Sequence, residues 1–221
     1  MKEEKIAPAI ACIIFNSDTI LLNTETIIIS VLLDKAEEYG LNIELDDAVW
    51  LFSEKGIEQN IIQLKNLFDI SVPDDFEEEL RKKIYEELRH GLDAKEGVRE
   101  MLEMMKVPFC VLSNTPREEI EFNLRLTNLL HFFKPEEIFT TCEMENQDPN
   151  AELYLKAAKK MGYKPEQCAV IADSIIGAKN VLEEGFTLYG LTNGFNEKEM
   201  AGIGAVVLEE IKELSNFLKI A

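Results

Sequence analysis

A chain of 221 residues, with 42 acidic against 23 basic side chains, carries a net charge of −19 at neutral pH. That length buries a substantial core, as one domain or as one domain with an insertion. The charge excludes functions that run on basic patches: a nucleic-acid backbone or an anionic membrane surface would repel the protein, and a small phosphate would need local cations or a metal.

The first predicted element is the apolar run ending Ala9-Ile10-Ala11-Cys12-Ile13-Ile14-Phe15. It shows no alternation, so it fits a central strand of a parallel sheet, buried on both faces. Asn16, Ser17, Asp18 and Thr19 follow at once, where open α/β sheets bind ligands. The chain then turns helical. Ile28, Val31, Leu32 and Lys35-Ala36 lie at helical spacing, with Gly40 as a stop. Asp46-Asp47 open a short helix carrying Val49, Trp50 and Phe52, and Ile57, Ile61, Leu64 and Phe68 form an apolar stripe. Pro73-Asp74 start a fourth helix with Phe76, Leu80, Ile84 and Leu88 on one face. With no strand between about Thr24 and about His90, residues 24–90 read as a four-helix insertion, leaving 1–23 and 91–221 for an α/β core.

The α/β pattern resumes with a helix over Gly97–Lys106 and a strand over Val107–Leu112 that ends in Ser113-Asn114. Thr115-Pro116-Arg117-Glu118 reads as a helix start, with Thr115 as N-cap, Pro116 at the first helical position and Glu118 closing a capping box. Ile138–Cys142 is a short strand. Asp148-Pro149 opens a helix that ends at Gly162. Cys168–Ala172 is a strand followed by Asp173-Ser174; Phe186–Leu191 and Ala205–Val207 are the last strands, and a helix closes the chain. Strands alternating with helices imply an α/β fold with a doubly wound, mostly parallel, Rossmann-like sheet.

Cys12, Cys110, Cys142 and Cys168 form no CxxC pair and fall in or at the edge of predicted strands, so free thiols in a reducing cytoplasm are expected rather than disulfides or zinc. Met1-Lys2-Glu3-Glu4-Lys5 makes a poor secretory signal, because acids stand in its charged part. No apolar run approaches the length of a membrane span. His90 and His131 have no partners at metal or triad spacing.

The stretch Phe15-Asn16-Ser17-Asp18-Thr19-Ile20-Leu21-Leu22-Asn23-Thr24-Glu25 resembles the first motif of the haloacid dehalogenase-like (HAD) phosphohydrolases. Within them it is most similar to the β-phosphoglucomutase-like branch with its sugar-phosphate phosphatases, which writes the motif FDxDGxLxDSE. Phe15, Asp18, Leu21 and Glu25 match. Asn16 stands at the nucleophilic Asp, Thr19 at the Gly, and Asn23 and Thr24 at the Asp and Ser. The resemblance covers nearly the whole chain. It implies a HAD-like fold with a helical cap at residues 24–90, an aspartyl-phosphate mechanism and a Mg²⁺ ion.

By the same resemblance, Asp18 takes the acid/base position; read plainly, it is a loop Asp bonded to its own backbone. Asn16 offers only a neutral amide, a far weaker nucleophile and a poorer Mg²⁺ ligand than a carboxylate; read plainly, it serves strand-end hydrogen bonds. Deamidation at Asn16-Ser17 would create an Asp, but a structured strand end resists it. Ser113, with Asn114, matches the phosphate-binding motif or serves as a turn serine. Asp148-Pro149-Asn150-Ala151-Glu152 replaces Lys-Pro-x-Pro-Asp, so Asp148 stands at the phosphate-clamping Lys; it also reads as an N-cap. A carboxylate about 5 Å from a phosphate, at an effective dielectric of about 20, would repel it by roughly 3 kcal/mol. Lys156, two turns down the helix, is too far to substitute. Asp173 matches the metal ligand of Ala172-Asp173-Ser174, or caps the next helix. Lys55, in Phe52-Ser53-Glu54-Lys55-Gly56, aligns with the substrate loop, or is plain surface.

The metal set implied is the Asn16 amide oxygen, the Asp18 carbonyl and Asp173, so weak or absent Mg²⁺ is expected. The expected protein is a pseudoenzyme. It keeps fold and cap, has lost phosphoryl transfer, and acts by binding a small phosphorylated metabolite or a protein partner. Two alternatives stand beside it: an active Mg²⁺-dependent phosphatase or phosphomutase on a small sugar phosphate, and a pure protein-interaction module.

Overall fold

The computed structural model describes residues 10–16, 18–53, 56–143, 151–175, 178–192 and 196–214. The chain divides into two compact units, Met1–Leu22 with Ala94–Ala221, and Asn23–Asp93.

In the first unit, among the described residues, six parallel strands form one sheet: β1 (Cys12–Asn16), β2 (Phe109–Ser113), β3 (Ile138–Thr140), β4 (Cys168–Ala172), β5 (Thr187–Leu191) and β6 (Val206–Leu208), in the order β3-β2-β1-β4-β5-β6. That order reverses between β1 and β4, which is the switch point of a doubly wound sheet. The expected Rossmann-like architecture is therefore the observed one. Cys12 to Phe15 and all of β4 are buried, as central parallel strands with both faces covered must be. Register brings the strand ends together: Asn16 lies opposite Leu112 on β2, and Phe15 opposite Ile171 on β4. Asn16, Ser113 and Asp173 thus stand along one carboxyl edge of three neighbouring strands.

The period of two sends Cys12, Ile14, Cys110, Leu112, Cys168 and Val170 to one face, where Leu153, Tyr154, Ala157 and Ala158 of α7 (Ala151–Met161) pack with them into one core. Among the described residues the other α-helices of this unit are α5 (Val98–Met104), α6 (Arg117–Leu126), α8 (Ala178–Glu183) and α9 (Glu197–Ile203). The chain leaves after Leu22 and returns at Ala94, where the two residues form an antiparallel bridge.

Among its described residues the second unit contains no strand and four α-helices: α1 (Thr24–Glu38), α2 (Leu45–Phe52), α3 (Ile57–Phe68) and α4 (Phe76–Gly91). Phe76, Leu80, Ile84 and Leu88 of α4 are buried, and Ile29, Val31, Leu32 and Ala36 of α1 are their counterparts. Tyr39 meets Phe76 edge to face at 5.7 Å, and Lys35 reaches Glu79 at 3.2 Å. On α2, Ala48 and Phe52 take the inner face four residues apart, which turns Trp50 outward, 80% exposed.

Local differences from the sequence expectations have tertiary causes. Helix α6 starts at Arg117, with Pro116 before it and no Thr115 cap. The Thr115 N–H donates to Ser113 Oγ (3.1 Å), and its carbonyl accepts from Thr140 Oγ1 (2.6 Å), so both its backbone groups are engaged elsewhere. Strand β3 stops at Thr140, because the Cys142 N–H turns back to Thr140 Oγ1 (3.2 Å) and the chain enters a 3₁₀ turn over Thr141–Glu143. The expected start of α7 at Asp148-Pro149 and most of the closing helix lie outside the described residues.

Candidate functional site

The carboxyl edge of β2, β1 and β4 gathers most of the residues singled out above. Asn16, half-buried, ends β1 at the switch point. Asp18 opens a 3₁₀ turn over Asp18–Ile20, which carries Thr19. Ser113 is buried at the end of β2, and its Oγ accepts the Thr115 N–H. The Asn114 carbonyl accepts the Cys142 thiol at 3.4 Å. Lys55 and Asp148 lie outside the described residues.

Asp173 follows β4 and is held by residues from both sides of it in the chain. Its Oδ2 accepts the Thr19 hydroxyl at 2.8 Å, and its carbonyl accepts the Asn196 side-chain amide at 2.8 Å. The carboxylate therefore binds the motif-I turn. It also lies close enough to Tyr154 that, after burial, its charge is the second influence raising the Tyr154 hydroxyl above the ordinary tyrosine range. Asn196 is buried, and its Oδ1 has no hydrogen-bond partner. The orientation of this amide follows from its partner: a carbonyl can only accept, so the nitrogen faces Asp173.

The β2–α6 loop is tied down as firmly. Arg117 donates from Nη1 to the Pro135 carbonyl (2.9 Å) and from Nη2 to the Ile138 carbonyl (2.7 Å), and it pairs through Nε and Nη2 with Glu143. Hydrogen bonding to Glu143 raises the Arg117 guanidinium and lowers the Glu143 carboxyl relative to their ordinary values.

Sequence reasoning did not single out Asn196. A cap-type residue directly before α9 was the available signal, but its side chain makes no cap bond and goes to Asp173 instead. Thr19 was recognised only as a replacement for glycine; its hydroxyl proves to be a partner of Asp173.

Mg²⁺ takes oxygen ligands in near-octahedral geometry, usually one or two carboxylates with several waters and a substrate phosphate. Here Asp173 offers a carboxylate with one oxygen already accepting a hydroxyl, and Asn16 offers a neutral amide. Among the described residues no group of three or more His, Cys, Asp or Glu converges on a common point. Of the implied set, the described side chains bring a single negative charge, so they attract a divalent cation less strongly than two carboxylates would. Among the described side chains the edge provides hydroxyl and amide groups beside the Asp173 carboxylate, a set suited to hydrogen bonding.

A family model described as haloacid dehalogenase-like hydrolase matches residues 13–187. The chain is 24% identical over 184 residues to the 6-phosphogluconate phosphatase of Escherichia coli (strain K12), covering 81% of each protein. It is 27% identical over 218 residues to the phosphorylated carbohydrates phosphatase of Thermotoga maritima, covering 94% of this chain and 97% of that one. Among solved structures, a HAD family hydrolase from Deinococcus radiodurans R1 with bound phosphate and sodium superposes with a TM-score of 0.82 at 28% identity, over 97% of both chains.

Proposed function

The chain belongs to the haloacid dehalogenase-like hydrolases, and on that footing we propose that it binds a phosphorylated carbohydrate without hydrolysing it. The observation that carries this reading is Asn16 at the end of the central strand, where phosphoryl transfer in this family needs a carboxylate nucleophile. An amide has no charge to donate to phosphorus, and Asp18, at the acid/base position, then has no covalent intermediate to serve. The ligand class follows from the relatives, whose names give phosphorylated carbohydrates and 6-phosphogluconate as substrates.

In this reading Ser113 and Asn114 supply hydrogen bonds to the phosphate, Asp148 replaces the clamping lysine with an opposing charge, and Mg²⁺ binds weakly or not at all. The Asn23–Asp93 unit serves as the cap, with Lys55 contributing to ligand choice, and the protein works in the cytoplasm. A second reading, an active Mg²⁺-dependent phosphatase, is favoured by the phosphatase names of the relatives and requires a nucleophile other than Asn16.

A panel of phosphorylated sugars, assayed for phosphate release and for thermal shift with and without Mg²⁺, separates the two. A shift without release is the expected result. Release at an ordinary enzymatic rate, from protein shown by mass spectrometry to carry intact Asn16, would select the phosphatase.

A further inference from the structure

The hold on Asp173 has a function of its own. A carboxylate at a ligand-binding sheet edge must be satisfied by a cation or by hydrogen-bond donors. One such donor is Thr19 Oγ1, 2.8 Å from Oδ2, delivered from a turn 154 residues earlier in the chain. Threonine is branched at Cβ and stiff at χ1, so the hydroxyl is a held donor rather than a roaming one. The backbone beneath the carboxylate is fixed separately by Asn196, which keeps its own Oδ1 buried and unpartnered while its nitrogen stays on the Asp173 carbonyl. A buried acceptor without a partner costs free energy, so this amide is retained against a local penalty.

We infer that Thr19 is a positioning residue that takes the place of a divalent cation at Asp173, so that the site binds its ligand without metal. The inference deepens the proposed function and rests on it. An arriving Mg²⁺ would compete with the Thr19 hydroxyl for the lone pairs of Oδ2, and the end of β1 would offer it the neutral Asn16 amide. Both obstacles lie at the end of β1 and in the turn after it, three residues apart, and they act differently: Asn16 withholds charge, whereas Thr19 competes for a ligand atom.

The test titrates the full chain with Mg²⁺ alone, by calorimetry and by melting temperature, in wild type, Asn16→Asp, Asn16→Asp/Thr19→Val and Asn16→Asp/Thr19→Ser. Wild type should show no saturable response. Asn16→Asp should bind weakly, because Thr19 still holds Oδ2. Removing the hydroxyl in the Thr19→Val double variant should tighten Mg²⁺ by about tenfold or more over Asn16→Asp, and the Thr19→Ser double variant, which restores it, should return to the Asn16→Asp level. Equal affinities for the Val and Ser double variants would overturn the inference, as would saturable Mg²⁺ binding by wild type or no binding by the Val double variant. If Thr19→Val does not fold, Thr19→Ala carries the same comparison. The readout is independent of turnover: hydrolysis by wild type sinks the proposed function, whereas the variant affinities judge the role of Thr19.

Discussion

Arg117 and Glu143 form a two-pronged ion pair that pins the turn after β3 to the start of α6. The guanidinium also holds the carbonyls of Pro135 and Ile138, so it organises the whole approach to the β2–α6 loop. Arg117→Ala should destabilise the protein by about 1–2 kcal/mol, since two backbone acceptors lose a charged donor. Glu143→Gln should cost only about 0.5 kcal/mol, because this carboxylate is half-exposed and screened. Chemical denaturation of both variants checks the ranking.

The same pair predicts a pH dependence. The Glu143 carboxyl sits below its ordinary value, chiefly through the hydrogen bond to Arg117. A depressed carboxyl contributes stability above its unfolded pKa and loses it as pH falls through the folded one. The stability gap between wild type and Glu143→Gln should therefore be full at neutral pH and close only on acidification below about pH 4.3, the ordinary glutamate value. A gap that persisted unchanged in acid would mean the pair is not the source.

Under the proposed function, more than one substitution should be needed to give the chain phosphatase activity. In that reading Asn16→Asp supplies a nucleophile, while Asp148 still puts an acid at the position of the clamping lysine. Removing one preorganised electrostatic contact commonly costs about 10²–10³ in rate. On a generic phosphate ester with Mg²⁺, Asn16→Asp/Asp148→Lys should therefore exceed Asn16→Asp by about that factor, with Thr19→Gly adding to it. Because these residues act as one unit, the effects should not multiply. Equal rates for the single and double variants would remove Asp148 from the account.

Thiol chemistry offers a check on the core. All four cysteines are free, and only Cys142 is exposed. Burial raises the Cys110 thiol above its ordinary range, and a hydrogen bond with Cys168, together with burial, does the same to Cys12. Thiolate is the reactive form. A thiol reagent should label Cys142 rapidly in the native protein and reach all four cysteines only after denaturation. Fast native labelling of Cys12, Cys110 or Cys168 would contradict the buried sheet face.

Gly190 on β5 packs against Met200 of α9 so closely that an added Cβ would lie 3.1 Å from Met200 Sδ. Gly190→Ala should lower stability by about 1–3 kcal/mol through overpacking. Met200→Ala made in the same chain should absorb part of that loss, and a double-mutant cycle measures the coupling.

What was legible in the sequence was what local pattern controls. Ile13-Ile14-Phe15 show no alternation, and a strand buried on both faces follows directly. The four-apart apolar residues of α4 are equally plain. Thr115 misled, because its backbone groups are engaged by Ser113 and Thr140, and a cap is only one use for a threonine before a proline. Asn196 and Thr19 were opaque for the same reason. Each acts on Asp173, from 23 residues later and 154 residues earlier in the chain, and no spacing rule links residues that meet only through the sheet.

The strand order has a consequence for how the chain acquires its shape during synthesis. β1 is the first of the six strands to be made, yet its two neighbours are β2 and β4, so Ile14 can meet Cys110 only after the Asn23–Asp93 unit has been translated, and Val170 only after β3 and α7 as well. Until β2 is made, β1 has no lateral partner, and until β4 is made it has only one, while the Asn23–Asp93 helices, built from local contacts, can already collapse by themselves. The nascent protein thus exposes an isoleucine-rich strand for much of its elongation. Its surplus of acid supplies mutual repulsion between neighbouring chains over that interval.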